Sequence, residues 1–183
     1  IYLSATPDDA PSPRDALDRL VATCCTAVSS DKREQVQSFL RSTLSDAMRY
    51  CHGTLVAVIA ASKEAKDITS DGVIFSSPIS IPEIIEQHEQ QRNDQSHAAL
   101  TAYGNLLAGM LNSDGIVVVD TQCRLIGYNL FIRTSVSDAC PQDQPEGGAR
   151  HRAYHILCHS VDQGQLQACF IRSSDGGATF HER

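Results

Sequence analysis

Two apolar runs constrain this chain more than anything else in it. GTLVAVIAA (residues 53–61) and GIVVVD (residues 115–120) are short, rich in β-branched residues and uncharged up to Asp120. Runs of this length read as buried strands. Around them the apolar residues follow a helical period. Leu17, Leu20, Val21 and Cys24 predict a helix over residues 14–28, ended by Ser29, Ser30 and Asp31. Val36, Phe39, Leu40, Leu44, Ala47 and Met48 predict a second, and Leu100, Tyr103, Leu106, Leu107 and Met110 a third.

The remaining segments fit between these. DGVIFSSPISIPEII reads as an extended piece running into a helix start, where Ser80 and Glu83 have the spacing of a capping box. The polar stretch 86–97 is a charged helix face or a loop. Residues 120–123 are the turn of a hairpin whose second strand is CRLIGYNLFIRT. Residues 134–148 form a polar loop. A helix follows Arg150, carrying Ala153, Ile156, Leu157 and Ser160, and the chain closes with two strands around a glycine turn. This order predicts an α/β (α+β) domain over residues 14–183, with a central mixed β-sheet flanked by helices. Residues 1–13 hold three prolines and read as a linker or N-terminal arm.

Composition narrows the function classes. With 183 residues and 42% apolar content, the chain has enough material for one full core. A net charge of −7 argues against a general nucleic-acid or membrane surface, so any anion site must be local. No apolar run reaches the roughly 18 residues a membrane-crossing helix needs. The opening IYLSATPDD has no signal pattern, and the expectation is a cytoplasmic domain cut from a longer protein. The seven cysteines are odd in number and scattered, without a C-x-x-C pair. That pattern fits reduced, mostly buried thiols better than a disulfide framework or a zinc ribbon.

Chemistry concentrates in three segments. Asp114-Gly115 precedes a strand. Gly148-Ala149-Arg150-His151-Arg152 opens a helix. Ser173-Ser174-Asp175-Gly176 follows a strand. Each puts small or polar residues at the edge of a regular element, where a ligand reaches backbone. The helix start matters most. It already carries partial positive charge, and three basic side chains there cost stability unless an anion sits among them. Backbone amides with a guanidinium suit a phosphate. The alternative is that Arg150 and Arg152 are solvated or paired with carboxylates. His151, His155 and His159 share a helix face at metal-ligand spacing, but no second ligand cluster completes a set. The common glycine-rich nucleotide loops and the nucleophile elbow are absent.

Taken together, D-G before an apolar strand, R-H-R-A at a helix start and a Gly-rich turn after a late strand resemble the diadenylate cyclase (DAC) domain. This is the nucleotide domain of the DNA-integrity scanning protein and its membrane-bound relatives. The resemblance covers residues 32–183. It implies ATP as substrate, cyclic di-AMP as product, a face-to-face homodimer, and Mg2+ or Mn2+ held with the help of Asp114. The chain departs from the cyclase motifs at several points. Ile116 follows Asp114-Gly115 where cyclases have Ala, and Ala149 replaces Thr before Arg150. Ser113 stands where membrane-bound cyclases have His, and SSDGG replaces S-E-E-T-G.

DTQCRLIGYNLFI, RHRAYHILC and SSDGGATF are instead similar to the divergent sensor branch called DACNV, which is associated with binding nucleotides rather than making them. That likeness implies a nucleotide-binding sensor domain that recognises an adenine nucleotide or cyclic dinucleotide and signals to a fused effector. It implies binding through Asp114, Gly115, Gly148, Ala149, Arg150, His151, Arg152, Ser173, Ser174, Asp175 and Gly176, with no nucleic acid or membrane contact. An active cyclase with Asp114 as catalytic and metal-holding residue stays open. So does a vestigial site in which an internal carboxylate neutralises Arg150.

Overall fold

A computed structural model describes residues 12–133, 148–174 and 176–183. Five α-helices and a six-stranded sheet make up these residues. The order is α1 (Pro13–Cys24), α2 (Ser30–Tyr50), β1 (Thr54–Ile59), β2 (Val73–Ser80), α3 (Ile81–Gln91), α4 (Asp94–Leu111), β3 (Ile116–Asp120), β4 (Arg124–Leu130), α5 (Ala149–Asp162), β5 (Ala168–Arg172) and β6 (Ala178–Glu182). A short 3-10 turn, Ala65–Asp67, follows β1. The fold is α/β with a mixed sheet, as the order of apolar patterns predicts.

Across the sheet the strands run β2-β4-β3-β1-β5-β6. β1 and β3, the two apolar runs, lie side by side and parallel at the centre. All other pairings are antiparallel. Alternate residues of the central strands serve two separate cores. Val56, Val58, Val117 and Val119 face α1–α4. Leu55, Ala57, Ile59, Ile116 and Val118 face α5 and the 3-10 turn. Every residue of both strands is buried, so they read as continuous apolar runs. β2 is an edge strand, mostly exposed, and Pro78 is tolerated there because no outer neighbour needs its missing amide.

Local chemistry sets the boundaries. α1 starts at Pro13 with Ser12 as its cap, in a capping box with Asp15. It ends at Cys24, four residues before the predicted stop, because the Ala27 amide donates to the Thr121 carbonyl (2.9 Å) in the hairpin turn. The Ser80 hydroxyl accepts from the Glu83 amide (3.4 Å) and caps α3; this is one half of the expected capping box, without the return bond from the Glu83 side chain. The ambiguous stretch 86–97 is the end of one helix and the start of another. Arg92 takes a left-handed conformation (φ 45°), and Asn93 caps α4 by accepting from the Ser96 amide (2.8 Å). No described helix is long and apolar enough to cross a membrane. The predicted loop 134–148 lies outside the described residues except for Gly148.

Candidate functional site

Strand pairing brings the three predicted segments to one end of the sheet. Leu55 pairs with Ile116 and Thr54 with Arg172, so β1 and β3 begin, and β5 ends, at the same edge. Asp114 and Gly115 precede β3 there, and Ser173 follows β5. α5 lies over this face on Tyr154, Leu157 and Val161, all buried in the second core. Burying a side chain such as Leu157 stabilises by about 1.5–3 kcal/mol, which anchors the helix and its first turn.

Arg150 occupies the second position of α5. Its guanidinium crosses the sheet end and donates to the His52 carbonyl (3.2 Å) and to Asp114 Oδ1 (3.2 Å). Gly53 makes this path possible. It has φ +113°, and a Cβ there would stand 2.5 Å from Arg150 Nη1 and 2.9 Å from the Arg172 carbonyl. The Arg150 Nε is buried without a hydrogen-bond partner. The Arg150–Asp114 contact is a single one, longer than the 2.7–2.9 Å of a strong charge-assisted bond. Asp114 is 95% exposed, so water competes for it, and such a pair contributes about 0–1 kcal/mol. Arg150 is thus positioned from two sides and paired only weakly.

A cavity of about 280 Å³ opens beside it. Leu55, Ile116, Leu130, Ile132 and Ile156 supply apolar wall, Phe131 stands half-exposed among the lining residues, and Asp114, Arg150 and Arg152 are the charged ones. Gly115 and Ala149 also line it. An apolar wall with a few convergent polar groups is the common form of a small-molecule site. Gly115 has no room for a side chain, since a Cβ would stand 2.7 Å from the Asn129 Cα, and its amide donates to Asn129 Oδ1 (3.1 Å). Gly148 caps α5 with no side chain, and no described residue lies within 4 Å of where its Cβ would be. The first amides of a helix have no partner inside it, and Gly148 leaves space before them.

Asp114, Gly115, Ala149, Arg150 and Arg152 therefore meet at one cavity, with Gly148 beside it. His151 is exposed and does not line the cavity; its ring meets that of His155 edge-on at 5.2 Å. Ser173, Ser174 and Gly176 form the β5–β6 turn. Ser173 donates through both its amide (2.9 Å) and its hydroxyl (3.2 Å) to the Gly177 carbonyl, which closes the turn. None of the three lines the cavity. Asp175 lies outside the described residues. Among the described residues no group of three or more His, Cys, Asp or Glu comes together to hold a metal, the His151–His159 face included.

Sequence reading missed His52, Gly53 and Asn129. His52 acts through its carbonyl, which carries no residue signature. Gly53 read as an ordinary strand start. Asn129 has φ 52° inside a strand run, a conformation Asn tolerates better than most residues. A second cavity, about 310 Å³, lies among α1, α2 and β5 and is lined by Arg14, Asp18, Arg41 and Arg172. It contains none of the predicted residues.

No protein-family model and no curated protein matches the chain. Among solved structures it is similar to a hypothetical membrane spanning protein from Bacillus cereus, at 15% identity and a TM-score of 0.46, covering 83% of this chain and 67% of that one. A likeness at that level carries no argument about this chain.

Proposed function

We propose that this is a nucleotide-binding sensor domain of the diadenylate cyclase type, cytoplasmic, recognising an adenine nucleotide or cyclic dinucleotide and signalling to a fused effector. One observation carries the reading: Arg150 is aimed across a glycine to the mouth of an apolar cavity and is engaged there by one long, exposed contact. A base fits the apolar wall. A phosphate takes the guanidinium, exchanging one weak carboxylate contact for two parallel charge-assisted bonds. The open helix start adds amide donors to the same oxygens. Calorimetric titration with ATP and with cyclic di-AMP tests this. Saturable binding lost in Arg150→Ala is expected. No heat with any adenine nucleotide would overturn it.

The cyclase reading draws on Asp114, whose carboxylate is exposed at the cavity mouth. The resemblance implies Mg2+ or Mn2+ there. Such ions are bound through one or two carboxylates plus substrate phosphates in an octahedral oxygen shell. At the cavity the described residues offer one carboxylate, Asp114, which would hold the ion only together with substrate phosphates and in competition with the Arg150 guanidinium. Incubation of concentrated protein with ATP and Mn2+, read for cyclic di-AMP by mass spectrometry, separates the two readings. Product would make the domain an enzyme acting as a homodimer.

A further inference from the structure

Cys158 of α5 and Cys169 of β5 hold their sulfurs 3.6 Å apart across the second core. Their exposure differs. Cys169 is fully buried, whereas Cys158 is half-buried and reachable from solvent. The groups around Cys158 are Cys169 on β5, Tyr154 and Asp162 on its own helix, and His181 on β6. His181 is itself paired with Asp162 (2.8 Å). A second touching pair, Cys25 and Cys123, lies wholly inside the other core.

We infer that Cys158 is an oxidation site, a thiol that reacts with hydrogen peroxide and is resolved by Cys169 into an intramolecular disulfide. In the first step the Cys158 thiolate attacks one peroxide oxygen. An S–O bond forms, the O–O bond breaks, and the departing hydroxide takes a proton to become water. Cys158 is then a sulfenic acid. In the second step the Cys169 sulfur attacks the Cys158 sulfur, its proton is released, the S–S bond forms and the S–O bond breaks, giving a second water. Two thiols are oxidised to one disulfide, and one peroxide is reduced to two waters.

The electrostatics favour this direction. The Cys169 thiol and then the Tyr154 hydroxyl hydrogen-bond the Cys158 sulfur, and against burial they bring its pKa down to about 7. Cys158 therefore gives up its proton more readily than an ordinary cysteine, and the thiolate is what peroxide reacts with. The Cys169 thiol is held protonated first by its bond to Cys158, then by burial and by the Cys158 charge. The Asp162 charge adds a fourth cause; oxidation of Cys158 removes the two that come from Cys158, which eases the loss of the Cys169 proton as it attacks. The sulfurs must close from 3.6 Å to a bond of about 2.05 Å, a small side-chain movement. The bond would tie the helix whose first turn carries Arg150 to the strand that ends beside Gly53.

The test is to treat the folded, reduced protein with a small excess of hydrogen peroxide and map its thiols by mass spectrometry. A Cys158–Cys169 disulfide, with Cys25 and Cys123 still reduced, is expected. In Cys169→Ser the sulfenic acid should persist at Cys158 and be trapped by dimedone. Alkylation of Cys158 by iodoacetamide in untreated protein should rise with an inflection near pH 7. The inference fails if Cys158 stays reduced while the buried thiols oxidise, or if Cys158 is modified without ever joining Cys169. The wild-type map decides this even if the Ser variant folds poorly.

Discussion

The Arg150 guanidinium passes through the space that a side chain on Gly53 would fill, with Nη1 2.5 Å from the ideal Cβ position. Gly53→Ala therefore strikes twice. The φ of +113° strains any L-residue, at about 1–3 kcal/mol, and the Arg172 carbonyl at 2.9 Å is backbone that yields little. The Arg150 side chain must also move off its bond to the His52 carbonyl. A lowered urea midpoint and weakened nucleotide binding are expected together. In the Gly53→Ala, Arg150→Ala double variant the stability loss from strain should remain, while binding should be no weaker than in Arg150→Ala alone.

Asp114→Asn separates sensing from turnover. The Asp114–Arg150 pair is long and exposed, so thermal stability should change by less than about 1 kcal/mol. For a binding site, Asp114 competes with an incoming phosphate for Arg150 and repels it. Affinity for cyclic di-AMP should then rise, by up to about tenfold, or about 1.4 kcal/mol. For a cyclase the same change should remove product. Titration and product assay on one preparation give the answer, and a fall in affinity would contradict the binding geometry.

The parts of this fold visible in the sequence are those governed by near neighbours. The central strands follow from two short β-branched runs, and the start of α3 follows from Ser80 three residues before Glu83. The site was legible where a motif places its own backbone, as at Arg150 and at Gly115. It was not legible where distant segments converge. Asn129 reaches the Gly115 amide only because β3 and β4 pair, and Gly53 matters only because α5 lays Arg150 over it. His151 shows the limit of a motif. One residue advances a helix by about 100°, which turns His151 from the cavity that Arg150 lines. The end of α1 was missed because a long-range bond, Ala27 to Thr121, stopped a helix whose local pattern continued.

Asp120 supports the far end of the same hairpin. Its carboxylate is 1% exposed and accepts from the Gln122 amide (2.9 Å), the Arg124 amide (2.9 Å) and Arg124 Nε (2.7 Å). These bonds hold a turn in which Cys123 has φ 57°. Asp120→Ala leaves two part-buried hydrogen-bonded amides and a partly buried guanidinium without their acceptor. Removing the acceptor of part-buried donors costs about 1–3 kcal/mol. Urea unfolding should show that loss, whereas Arg49→Ala, which removes an exposed pair to Asp46, should cost less than about 1 kcal/mol.

Thiol titration predicts how stability responds to alkali. Burial raises the Cys24 thiol and the Tyr154 hydroxyl, and contact with Cys25 and Cys158 raises Cys123 and Cys169. A group whose pKa is higher when folded stabilises fully below its unfolded value and loses that contribution as pH rises past it. The unfolded values are 9.0 for the thiols and 10.0 for the tyrosine. Cys158 and Cys25 run the other way, with pKa values lowered by their partners. Through Cys158, stability should climb between pH about 7 and 9.0, where the unfolded chain still holds the proton that the folded one has released. Above 9.0 the three raised thiols, joined above 10.0 by the tyrosine, outweigh the two lowered ones, and the slope should reverse. Urea midpoints measured under reducing conditions at stepped pH should pass through a maximum near 9.0. A midpoint that stays level beyond pH 10.0 instead of falling would mean that these buried groups ionise without unfolding the core around them.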